Sequence, residues 1–131
     1  MIYDRSEIED LFIKGLVEFN NQNFYDAHEY WEDIWRDYKL DEPLLIQGLI
    51  QFTVGCFHMT NLNRNGAISL LNKSIKKLEK YENFNDLKID ISNIVRESQK
   101  LVFWLNENSD LSLFDWSDFF KINLCGKNES I

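Results

Sequence analysis

Apolar residues recur every three or four positions along most of this 131-residue chain, and no stretch alternates long enough to predict a sheet. The expected fold is all-α: a compact bundle of about five helices arranged as antiparallel helical hairpins. The first helix starts at Ser6, where Ser6 and Glu9 make a capping-box pattern. It carries Leu11, Phe12, Gly15, Leu16 and Phe19, then frays into Asn20-Asn21-Gln22-Asn23. Asn23 is the expected cap of a second helix over 24–38. Asp41-Glu42-Pro43 opens a third, with Asp41 as cap and proline in the first turn, reaching about residue 62. Asn63-Arg64-Asn65-Gly66 reads as a turn before a fourth helix over 67–81.

Residues 82–88 read as a loop. A fifth helix over 88–106 carries Ile91, Ile94, Val95, Ser98, Leu101, Val102 and Leu105 on one stripe. The aromatic segment 111–124 is expected to dock back on the body, and the last six residues to be disordered. The whole, 1–131, reads as a single helical domain. Asn23 to Ala27 and Asn63 to Ala67 echo each other across 40 residues, each opening a helix after a hairpin turn. The phrase around Ala27 is similar to the second helix of a tetratricopeptide repeat, but the spacing is not that of the 34-residue repeat. Local packing similarity is the better reading.

Composition narrows this picture. Hydrophobic residues make up 44%, with 10 Phe, 5 Tyr and 4 Trp, so burial can offset chain entropy without disulfides. The formal net charge of −8 argues against nucleic acid and anionic membranes as partners, since both attract positive charge. The lysines at 73, 76, 77 and 80 read as a solvated helix face. The N-terminus lacks a signal-peptide pattern, and the apolar run 44–57 is too short and mixed to span a bilayer. Cys56 and Cys125 form no Cys-x-x-Cys pair. The expected setting is cytoplasmic, with thiols reduced.

The candidate chemistry lies in 24–35, Phe-Tyr-Asp-Ala-His-Glu-Tyr-Trp-Glu-Asp-Ile-Trp. His28 and Glu32 sit four apart on one helix face, between Trp31 and Trp35. In the third helix Gln47, Gln51, Gly55 and His58 share a stripe. Counting outward from a turn near residue 40 sets Glu32 opposite Gln47 and His28 opposite Gln51. His58 then falls roughly 9 Å beyond, at about 1.5 Å per residue. The expected pocket is His28, Glu32, Gln47 and Gln51 walled by Trp31 and Trp35, with His58 at one end. His28-Glu29-x-x-Glu32 compares with zinc sites of the His-Glu-x-x-His type, Glu32 standing for the second histidine. His28, Glu32 and His58 are thus candidate ligands for a divalent zinc, manganese or iron, and Glu29 a candidate general base. The alternative is a hydrogen-bond network that only specifies packing, with Arg36 pairing to Glu32. Cys56 and His58 face apart on their helix, so no nucleophile pair forms there.

Phe19-Asn20, residues 24–35, Gln47-Gly-Leu-Ile-Gln51, His58 and Gly66-Ala-Ile-Ser-Leu-Leu71 together resemble the domain-of-unknown-function family 309, over about 8–81. The resemblance implies a small all-helical protein of a kind often labelled metal-dependent hydrolase. It places the family's recurrent polar positions on His28, Glu29, Glu32, Gln47, Gln51 and His58. Gln22 and Leu62 stand where the family's turn glycines are expected. Three classes stay open: a metal-dependent hydrolase-like enzyme, a helical interaction or scaffold module with a protein partner, and a binder of a small molecule. A homo-oligomer is compatible with each.

Overall fold

The computed structural model describes residues 5–125, with the side chain of residue 5 left out. Helix is the regular secondary structure of the described residues, without a strand among them. Five α-helices follow in order: α1 (Arg5–Asn20), α2 (Phe24–Asp37), α3 (Pro43–Thr60), α4 (Arg64–Leu78) and α5 (Ile91–Glu107). Short 3-10 turns occupy Glu79–Tyr81 and Leu111–Leu113. Each α-helix packs on the next in sequence. The brief links 21–23, 38–42 and 61–63 leave consecutive helices little choice but to run antiparallel. The disorder expected of the last six residues lies outside the described residues.

Backbones approach closely where a side chain is missing. A Cβ at Gly15 would lie 2.0 Å from the Trp31 indole nitrogen, so only glycine lets α2 set that ring against α1. Gly48 and Gly55 do the same on α3, receiving Leu78 and Leu71 of α4. Ser74 is fully buried on α4, and its hydroxyl donates to the Gly48 carbonyl at 2.8 Å. That buried hydroxyl is thereby satisfied.

The two hairpin turns share one hydrogen-bond pattern. Asn23 N–H donates to the Glu18 carbonyl and Gln22 N–H to Phe19, while Asn63 donates to His58 and Leu62 to Met59. This closes each helix with a Schellman turn, which needs one left-handed residue. Gln22 at φ 63° and Leu62 at φ 60° fill that position without being glycine.

Several boundaries differ from the expectation. Glu42, not Asp41, precedes α3, and neither it nor Asn23 caps its helix through the side chain. Pro43 at the first position presets the α3 backbone instead. Residues 64–66 are the first turn of α4, because the Asn63 side chain accepts from Gly66 N–H at 3.0 Å. Asp90 caps α5 in the same way through Asn93 N–H at 3.1 Å.

After α5 the chain runs back across the hairpins as an aromatic strap. Phe119 and Phe120 pack on Phe19, while Trp116 meets Phe24 at 5.4 Å between ring centroids. The Asn20 amide bonds both backbone groups of Ile122, at 2.9 and 2.8 Å, in place of a sheet partner. Gln22 donates to the Trp116 carbonyl at 2.9 Å. Tilted and edge-on aromatic pairs of this kind add to the area they bury.

Candidate functional site

The buried stripe of α2 is Phe24, Ala27, Trp31 and Ile34. Its outer stripe, at the same helical spacing, is Tyr25, His28, Glu32 and Trp35. His28 Nδ1 lies 2.7 Å from the Tyr25 carbonyl. A carbonyl only accepts, so Nδ1 carries the proton and the neutral ring turns the Nε2 lone pair outward. Glu32 Oε2 stands 3.7 Å from that Nε2, with the side chains 18% and 47% exposed. Two acceptors therefore sit side by side when the ring is neutral. An ion pair replaces them once the ring is protonated.

The position of α3 relative to this stripe differs from the simple count. The Tyr25 and Phe57 rings meet at 5.4 Å, so level 25 faces level 57. Glu32 then falls opposite Ile50 and Gln51, His28 opposite Val54, and Trp35 opposite Gln47. That is a shift of about one helical turn from the count. His58 comes near the level of Phe24 and Tyr25. Asn63 Nδ2 donates to His58 Nδ1 at 3.3 Å, while Asn63 Oδ1 holds Gly66 N–H, so His58 is tied to the turn before α4. Among the described residues, no three of His, Cys, Asp and Glu converge as a possible metal group.

The other candidate residues divide by face. Trp31 turns toward α1, fully buried, and its indole N–H donates to the Phe12 carbonyl at 3.1 Å. Trp35 is 42% exposed. Arg36 does not pair with Glu32. It is held by Asp33 and Asp37, which keep its guanidinium pKa raised, hydrogen bonding to Asp37 being the larger cause. Glu29 is exposed. Gln47 and Gln51 are half-buried, and Gln51 Oε1 is shielded from solvent without a donor. Cys56 lies in the core, where burial pushes its thiol pKa far up and leaves it inert.

Sequence reasoning passed over Tyr25 and Phe57. The signal was present: Tyr25 stands three residues before His28, with its ring 4.9 Å from the imidazole. An aromatic there reads as core until the neighbouring stripe is seen to be filled by Phe24, Ala27 and Trp31.

No helix among the described residues is long and apolar enough to cross a membrane. No curated protein matches the chain. Residues 12–70, which hold every candidate site residue named above, match the family described as Domain of unknown function (DUF309).

Proposed function

We propose that this chain is a helical recognition module whose outer α2 face receives a basic side chain of a protein partner. One observation carries the reading. Tyr25 and Trp35, 50% and 42% exposed, bracket the His28–Glu32 acceptor pair on one stripe. Half-exposed Tyr and Trp are the residues that dominate protein interfaces. A cation beside Glu32 would meet its carboxylate and the Trp35 ring about one turn away, with Tyr25 left to contact the rest of the partner. Arg36 does not compete for the pair, because Asp33 and Asp37 hold it. The net charge of −8 favours a basic partner at long range as well.

The test is an NMR titration of the full chain with acetyl-Arg-Arg-Arg-amide, using acetyl-Glu-Glu-Glu-amide as control. The arginine peptide is expected to shift the Tyr25, His28, Glu32 and Trp35 signals, and Trp35→Ala to weaken binding by about tenfold. Equal response to both peptides, or shifts elsewhere only, would count against the reading.

A second reading rests on the 3.7 Å separation itself. Zinc–nitrogen and zinc–oxygen bonds of about 2.0–2.2 Å place two tetrahedral donors roughly 3.3–3.6 Å apart. A small rotamer change would let His28 Nε2 and Glu32 share a zinc, manganese or iron ion, leaving its other positions to water. Such an ion would supply Lewis acidity, and Glu29 would be the neighbouring base, which is the hydrolase-like possibility. Untagged protein purified without chelator should then carry near-stoichiometric metal that His28→Ala loses. Metal-free protein whose melting temperature ignores added zinc and manganese removes this reading.

A further inference from the structure

A cavity of about 860 Å3 opens where the start of α1, the end of α2, the start of α3, the 84–89 loop and the end of the strap meet. That volume suits a small organic molecule. Its wall is apolar, with Phe12, Ile34, Leu45, Ile46, Phe84 and Ile89 among the residues that form it. The loop side is held by a hydrogen bond from Cys125 N–H to the Lys88 carbonyl, with Lys88 itself at φ 59°. A non-glycine residue in that region is strained, so the strap helps to keep the wall in place.

The rim is chemically one-sided. Glu9, Asp41, Glu42 and Asp86 line the cavity against a single cation, Lys88. The Tyr81 hydroxyl pKa is raised, by burial first and by the Glu42 carboxylate second. Glu9, Asp41 and Asp86 have no side-chain partner among the described residues, although each stands beside low-dielectric wall. Carboxylates at the mouth of an apolar cleft focus a negative field into it. An anionic ligand would be repelled. A neutral one would forgo the strongest attraction available.

We propose that this cavity binds an amphipathic organic cation, its apolar body on the α1–α2–α3 wall and its ammonium or guanidinium group among Glu9, Asp41 and Asp86. The site is separate from the outer stripe of α2, and it stands whether or not that stripe binds a partner.

Cys125 supplies the readout. It lines the cavity and is exposed, whereas Cys56 is buried and unreactive, so iodoacetamide reports on Cys125 alone in the native chain. The probes are octylammonium, 1-octanol and octanoate, added to the full chain. Octylammonium is expected to slow alkylation of Cys125 at least about fivefold at saturation, with octanol binding roughly tenfold more weakly and octanoate without effect. The double variant Glu9→Gln with Asp86→Asn should still bind octanol but lose the preference for octylammonium. Equal protection by octanoate, or a preference that survives in the double variant, overturns the proposal. So does a ligand-free chain in which residues 1–4 already give nuclear Overhauser contacts to Ile46 and Cys125 resists alkylation.

Discussion

Trp31 and Trp35 are the same residue one helical turn apart, and the fold treats them in opposite ways. Trp31 is fully buried, stacks on Phe12 and Phe19 at 5.7 and 6.5 Å, and has its N–H satisfied by a backbone carbonyl. Trp35 stands 42% exposed on the outer stripe. What separates them lies on other elements. Gly15 of α1 leaves the space that Trp31 fills, while level 35 of α2 faces the half-buried Gln47 of α3. One indole holds two helices together; the other remains available to a partner.

The sharpest way to break this contrast is to fill the space. Gly15→Val is expected to destabilise the chain by about 3 kcal/mol or more, because neither the α1 backbone nor the Trp31 ring can retreat. Gly15→Ala, with a single added methyl, should show the same direction in the urea midpoint. A change below about 0.5 kcal/mol for Gly15→Ala would mean that the seam yields easily. Trp31→Phe follows, at about 2 kcal/mol from lost volume and the lost indole bond to the Phe12 carbonyl. Trp35→Phe in the same assay should stay within about 0.5 kcal/mol, which is the comparison in numbers.

The helices were legible because their signals are local. The stripe of α5 and the proline opening α3 act over a few residues and appear where the pattern puts them, whereas the asparagine signal at 63–66 marks the link but runs into the first turn of α4. The site was legible as a set of residues but not as an arrangement. His28 and Glu32 pair as i and i+4 spacing requires. Which α3 residue faces them depends on how far α2 and α3 are offset along their axes, and no local signal states that offset. Arg36 chose Asp33 and Asp37 over Glu32, since all three acids lie within its reach and only geometry decides. The cavity was illegible for a similar reason. Its lining comes from five separated stretches, and residues as distant as Ile8 and Leu124 share it without leaving a periodic trace.

The turns that set the α1–α2 and α3–α4 seams offer a gentler test. Gln22 and Leu62 both hold left-handed backbone that glycine adopts freely. Leu62→Gly should raise stability by about 0.5–1 kcal/mol, as its side chain is 60% exposed and contributes little. Gln22→Gly should gain less, because it also removes the bond to the Trp116 carbonyl that anchors the strap. If both gain equally in thermal unfolding, that strap contact is worth nothing measurable. If neither gains, relief of the turn is offset by greater freedom in the unfolded chain.

Glu32→Gln has the smallest expected effect on stability and bears most directly on what α2 offers the solvent. A half-exposed pair at 3.7 Å contributes roughly 0–0.5 kcal/mol, since water still reaches Glu32 and two side chains must be held to form it. The melting temperature should therefore move by about 2 °C or less. The amide keeps the shape and loses the charge, so binding of the arginine tripeptide should weaken while the fold does not. A packing role predicts the reverse, with a loss near 1 kcal/mol and peptide binding unchanged. Because the two readings move different observables, a single variant separates a carboxylate that holds the helices from one that meets a partner.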